Sequence, residues 1–291
     1  MTDQISFPPT QWHGRALRWG EQTLVMGIVN ATPDSFSGDG IGDDAMAASD
    51  VAERAVAAGA HLIDIGAEST RPGHAPIDAA EEERRLLPIL TAISPHVSVP
   101  ISVDTSKARV AEAALAGGAS IVNDIRGLTA DPELGAVVAR HGVPLILMHD
   151  IPPDPYGDLL SSIVRELSRR LDRALAAGVG WEMLIVDPGF GFGKDWRQNL
   201  ELLRRLGELQ ALGRPILIGF SRKSTIGRVL GLPPAERLEG TLATTALAIT
   251  GGADIVRVHD VEPNVRVTRM VDAVVRRAPG TELTWTEPGG G

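Results

Sequence analysis

Acids, amides and bases recur through this chain at one kind of place, the polar end of a short β-branched apolar run. Such runs lead into Asn30, into Glu68-Ser69-Thr70-Arg71, into Asp104, Asn123, His149 and Asp187, into Ser221-Arg222-Lys223, and into Arg257 with His259. Two chemistries are implied. Asp104, Asn123 and Asp187 are acceptors, and a buried carboxylate stays charged only if donors are paired with it. A flat nitrogen heterocycle with adjacent N–H groups offers two parallel donors to one carboxylate. Arg71, Lys223, Arg257 and His259 suit an anion, and a helix starting after Ser221–Ser224 adds backbone N–H donors and a favourable dipole. Asp104 or Asn123 taken alone reads about equally well as a helix N-cap. Eight strand ends that all carry a ligand-binding type do not.

Other features keep a plain structural reading. His149 is as well explained by a hydrogen-bonded strand end as by catalysis. The glycines of Asp187–Lys194 (DPGFGFGK) mark a tight turn or else present Phe192 to a planar ligand. The seven histidines are scattered with no H-E-x-x-H spacing, which argues against zinc. With no cysteine, disulfides, thiolate metal sites and a cysteine nucleophile are excluded.

The strands that must carry these ends are Thr23–Asn30, Leu62–Gly66, Pro100–Thr105, Ile121–Ile125, Pro144–His149, Leu184–Gly189, Pro215–Phe220 and Asp254–Asp260. Ala/Leu/Arg-rich segments with helical periodicity separate them, and glycines such as Gly59 and Gly118 stop those segments. Eight strands alternating with helices close a (β/α)8 TIM barrel, whose ligand site lies at the C-terminal strand ends. A doubly wound open sheet would instead want G-x-G-x-x-G after its first strand, and GIVNATPDSFSGDG is not that. The stretch Ala16–Met26 reads as a β-hairpin around Gly20–Glu21, within an N-terminal region 1–22 that closes the bottom of the barrel. One domain is expected over 1–291, with a flexible Gly/Pro/Thr-rich tail at 279–291.

Composition bounds the rest. Hydrophobic residues make up 43% and aromatic ones 4%, so the core is built of Ala, Val, Leu and Ile. A formal charge of −9 argues against nucleic acid as a partner. No apolar run is long enough to span a bilayer, and Met1–Gly14 lacks the basic-then-apolar order of a signal peptide. A cytoplasmic location is expected.

Taken together, MGIVNATPDSF, DIGAESTRPG, ISVDT, IVNDI, DPGFGFGK, NLELLRRL, GFSRKSTIG and RVHDV, running from Met26 to Val261, resemble the dihydropteroate synthase family of pterin-binding barrels. The resemblance implies condensation of a pterin diphosphate ester with p-aminobenzoate, releasing pyrophosphate by an SN1-like route. It implies pterin contacts at Asp104, Asn123, Asp187 and Lys223, and diphosphate anchors at Arg257 and His259. Asn30 would hold Mg²⁺ with the diphosphate. Thr70, Arg71, Pro72, Phe192 and Ser224 would line the p-aminobenzoate pocket, which sulfonamides also occupy. The reacting set is then Asp104, Asp187, Lys223, Arg257 and His259, and a homodimer is implied. The loops Ala31–Gly40 and Glu68–Gly73 would be lids.

The chain departs from the family at Ala31, Ala67, Gly38-Asp39-Gly40 and Asp150, the last standing where Met commonly follows Leu-Met-His. A pterin-dependent methyltransferase domain should lack SRKS and RVHDV. A non-catalytic paralogue should have lost STRPG or Lys223. An unrelated phosphate-binding barrel would want a strand-end Lys or Glu base without the two lids.

Overall fold

The computed structural model describes residues 7–30, 44–68, 76–155 and 157–276. Eight parallel strands carry the fold: β3 (Leu24–Asn30), β4 (Leu62–Gly66), β5 (Ile101–Asp104), β6 (Ile121–Asp124), β7 (Leu145–Met148), β8 (Leu184–Asp187), β9 (Leu217–Ile218) and β10 (Ile255–Val258). Neighbours follow chain order from β3 to β8, and β10 pairs β3 on one side and β9 on the other. The ring closes between β8 and β9, where Val186 bridges Ile216 and donates to the Pro215 carbonyl at 3.0 Å. This is the expected (β/α)8 barrel. Val, Ile and Leu dominate the strands and are almost fully buried, as parallel strands must be when helices cover their outer face.

Strand limits agree with the sequence reading except at β9, expected over Pro215–Phe220 but paired only at Leu217–Ile218. A side chain replaces the ladder there. The buried Asp254 accepts from the Ile216 N–H at 3.0 Å, while the Ile216 carbonyl receives Asp254 N–H at 2.8 Å.

Helices fill each crossover, among them α1 (Ala45–Ala57), α2 (Ala79–Ile93), α3 (Ala108–Ala116), α5 (Leu159–Ala176) and α6 (Trp196–Arg204). Asp44, Asp78, Asp158 and Asp195 cap α1, α2, α5 and α6 with their carboxylates. Each such cap is worth about 1 kcal/mol and fixes where the loop from the rim enters its helix. The remaining helices are α4 (Glu133–His141), α7 (Ser224–Leu230), α8 (Leu238–Thr250) and α9 (Val261–Val275). Among the described residues, no helix is long and apolar enough to cross a membrane.

The N-terminal hairpin exists but turns elsewhere. Its strands are β1 (Thr10–Trp12) and β2 (Arg15–Leu17), so the turn is His13-Gly14 rather than Gly20–Glu21. Both turn residues have positive φ, 44° and 75°, which suits a two-residue hairpin. The run after Gly20 could not serve as a hairpin strand because it is β3, held by β4 and β10. The hairpin packs at the N-terminal end of the barrel. The Thr10 hydroxyl donates to the Glu182 carbonyl just before β8 at 2.6 Å, and Arg214, just before β9, lies over the rings of Phe7 and Trp181.

Candidate active site

Sheet register alone gathers the first group of site residues. Asn30, Gly66, Asp104 and Asn123 are successive partners across β3, β4, β5 and β6, so they form one rung at the C-terminal rim. Gly66 interrupts the rung with no side chain, and a Cβ there would sit 3.4 Å from the Asp104 side chain. One pleat below, on the same face, lies Asp64, fully buried.

Arg257 on β10 reaches across to this group. Its Nε donates to Asp64 at 2.6 Å and its Nη2 to Asp104 at 3.2 Å, while Asn123 Nδ2 donates to Asp64 at 3.3 Å. One guanidinium between two acids leaves the pair under-neutralised. Burial, and then the Asp64 charge, push the Asp104 carboxyl well above its ordinary range, while Arg257 pulls it down. The Asn123 side-chain oxygen is buried and has no partner among the described residues, an open acceptor in a place that demands a donor.

The second group comes from β8 and the loop after it. Asp187 accepts from the Gly189 N–H at 2.7 Å through Oδ1. Burial raises its pKa to about 6, against that N–H and the charges of Lys223, Arg257 and Lys194. Gly189 is at φ +69°, and a Cβ would collide with the His149 carbonyl at 1.9 Å, so no other residue fits this turn. Gly191, at φ +79°, lies against the Lys223 stem, where a Cβ would come to 3.2 Å. The Lys223 ammonium stands 4.3 Å above the Phe192 ring, and burial, then Arg257, lower its pKa to about 8. The glycines of DPGFGFGK therefore make the tight turn the sequence suggested, and that turn sets Phe192 against Lys223.

Lys194 staples this loop from beneath. Its buried amine contacts His149 Nδ1 at 3.0 Å and the carbonyls of Gly189 at 3.0 Å and Phe192 at 2.8 Å. His149 is fully buried, its pKa lowered to about 3 by burial and then by Lys194 and Arg170. The structural reading of His149 is the one its contacts support.

His259 sits half-buried just past β10, its Nδ1 3.0 Å from the Ser221 hydroxyl. Burial and then Arg257, Arg222 and Lys223 depress its pKa to about 3, which favours the neutral imidazole in the ligand-free site. Arg222 turns away to Asp260, with bonds of 3.0 and 2.6 Å, and adopts a left-handed φ of 56°. Arg237 and Thr241 brace that strained residue through its carbonyl and N–H, which aims the next residue, Lys223, at the rim. Ser224 is exposed at the start of α7, and Asn30 is half-buried at the end of β3.

Thr70, Arg71 and Pro72 lie outside the described residues, as do the whole of the expected lid Ala31–Gly40, its Gly38-Asp39-Gly40 departure included, and all of the expected lid Glu68–Gly73 except Glu68. The residues on either side of the segment 69–75 are described and joined. Glu68 accepts from the Ile77 N–H at 3.0 Å and from Lys107 at 2.5 Å, and Lys107 also meets the buried Glu82. The departure at Asp150 has its own partners, Arg170 at 2.7 Å and Arg126 at 2.9 Å. The fully buried Arg170 is thereby held between Asp150 and Glu166, the latter at 3.2 Å.

Barrel, rim rung and facing loop define a class before any relative is considered: a (β/α)8 barrel that gathers carboxylates, an amide and cations at the C-terminal ends of its strands. The model of the pterin binding enzyme family matches residues 26–259. A Bacillus subtilis dihydropteroate synthase is 48% identical over 262 residues, spanning 90% of this chain and 92% of that one. Among solved structures, a Clostridium difficile dihydropteroate synthase crystallised in the presence of pteroic acid superposes with a TM-score of 0.85 at 46% identity. It covers 89% of this chain and 99% of its own. A Xanthomonas albilineans dihydropteroate synthase with 4-aminobenzoic acid gives 0.86 at 41% identity, covering 93% and 98%. The chain belongs to the pterin binding enzymes and, within them, to the dihydropteroate synthases, which are transferases.

Proposed function

We propose that the rim joins 6-hydroxymethyl-7,8-dihydropterin diphosphate to p-aminobenzoate, giving 7,8-dihydropteroate and pyrophosphate, with a division of labour between two groups of side chains. The observation that carries this reading is the meeting of acids and cations at one rim. Asp104 shares Arg257 with Asp64, and Asp187 feels the charges of both Lys223 and Arg257.

Asp187 keeps one oxygen on the Gly189 N–H. The other accepts from the 2-amino group and ring N–H of the pterin. The open Asn123 oxygen takes a further ring donor, Lys223 donates to ring acceptors on the other side, and Asp104 completes the pterin contacts. Phe192 and Ser224, with Thr70, Arg71 and Pro72, line the p-aminobenzoate side. The bond between the pterin methylene carbon and the ester oxygen breaks with its electron pair leaving on pyrophosphate. Arg257 and His259 receive that charge. The arylamine nitrogen bonds to the methylene carbon and gives up its proton to water. No protein nucleophile is required, since positioning and electrostatic stabilisation carry the step.

Asn30 alone supports Mg²⁺ as a companion of the diphosphate. Asn30 offers a single hard oxygen at the rim, and Mg²⁺ is commonly held by one or two protein oxygens together with phosphate and water. When bound, the ion would neutralise the leaving group.

The test is pyrophosphate release measured by a coupled assay, with single omissions. The account expects release only with both substrates present and a marked fall when Mg²⁺ is chelated. No release with both substrates, or release independent of p-aminobenzoate, contradicts it.

A further inference from the structure

We propose that Asp64 is a positioning residue for this reaction, holding the ring-binding and diphosphate-binding halves of the site in register through one carboxylate oxygen. The proposal rests on the reading above, in which Asn123 meets the pterin and Arg257 meets the diphosphate.

Asp64 is the only charged residue of β4, a strand buried along its whole length, and its own exposure is 0%. A buried charge needs strong compensation. Here that compensation converges on a single atom. Oδ2 accepts from Arg257 Nε at 2.6 Å and from Asn123 Nδ2 at 3.3 Å, whereas Oδ1 has no partner among the described residues. The two donors come from β10 and β6, which lie on opposite sides of β4 in the barrel order. Neither can move without uncovering the carboxylate. A site that must align a ring and a leaving group needs such a fixed distance, because small misplacements of reacting groups are costly.

Depth in the barrel separates Asp64 from the ligand contacts, since it lies one pleat beneath the rung of Asn30, Gly66, Asp104 and Asn123. It acts through its two partners rather than on the substrate. The bond to Nε leaves Arg257 anchored from below, so that the distal end of the guanidinium is what it offers to the rim. Asp64 also offsets the Arg257 charge, which otherwise adds to Lys223 in a confined space.

The test is a set of double-mutant cycles read by calorimetry with the pterin diphosphate and with the free pterin alcohol. Asp64→Asn keeps the shape and removes the charge. It should weaken diphosphate-ester binding about tenfold or more, the scale of one charge-assisted hydrogen bond, with the KM for p-aminobenzoate changed less than about twofold. Combined with Arg257→Gln or with Asn123→Ala, the losses should fall short of the product of the single losses, since residues acting as a unit are not additive. Should Arg257→Gln fail to fold with Asp64 left unpaired, Arg257→Lys supplies the same cycle. Losses that multiply in both cycles, or an unchanged ester affinity in Asp64→Asn, overturn the proposal. If Arg257→Gln weakens ester and alcohol equally, the anion assignment of Arg257 fails instead, and the proposal falls with it.

Discussion

Replacing Lys223 by Ala should abolish turnover, lowering kcat/KM by at least about 10²- to 10³-fold, the usual scale for removing a preorganised electrostatic donor. The fold should be unaffected. Among the described residues Lys223 forms no ion pair within bonding distance. Its fixed contacts are the Phe192 ring and the stem's packing against Gly191. The unfolding midpoint should therefore shift by no more than about 2–4 °C, the size expected for loss of about 1 kcal/mol. Circular dichroism on the variant separates the two effects. A folded Lys223→Ala protein with near-normal turnover would contradict the assignment.

Asp187→Asn should be as severe for ring binding, for a geometric reason. Oδ1 already accepts from the Gly189 N–H. An asparagine keeps that bond by placing its oxygen there, and so turns its NH₂ toward the ligand. Donor then faces donor where two acceptor contacts were needed. Affinity for the free pterin alcohol should fall about 100-fold or more. The same mismatch can be produced in the unmodified protein by acid. With its pKa raised to about 6, Asp187 is charged above that pH and becomes a donor below it. Its neighbours Lys223 and Arg257 remain cationic through this range and Asp104 lies on the protonated side of its own raised pKa. Alcohol affinity should therefore fall toward tenfold per pH unit below about 6 in the wild type, and stay nearly flat in Asp187→Asn. Parallel pH profiles for the two proteins would show that Asp187 is not the titrating acceptor.

The barrel was legible because parallel strands buried on both faces read as apolar runs, and their polar ends stand out against them. Asn30, Asp104, Asn123, Asp187, Lys223, Arg257 and His259 all fall at the rim for that reason. Asp64 escaped because attention to strand ends passes over strand middles. Its signal was present all the same, as a single acid inside Leu62–Gly66 that no turn or cap could explain. Lys194 was masked by its glycine-rich neighbours, since sequence does not tell a surface lysine from one folded under its own loop. The hairpin was displaced because Ala16–Met26 contains a plausible turn, and only the claim of β4 and β10 on β3 rules that pairing out. The short β9 depends on Asp254 reaching back to Ile216, a contact between residues 38 apart. Asp150 stood out only as a departure from the family, and its pairing with Arg170 and Arg126 could not be read without the packing of α5.

The most direct measurement is a crystal structure of the protein with the pterin diphosphate bound and p-aminobenzoate omitted. The account predicts the ring's amino and N–H edge within hydrogen-bond distance of Asp187, the Asn123 oxygen meeting a ring donor, and the diphosphate on Arg257 and His259. A ring seated away from Asp187 and Asn123, or a diphosphate held by other residues, would contradict it.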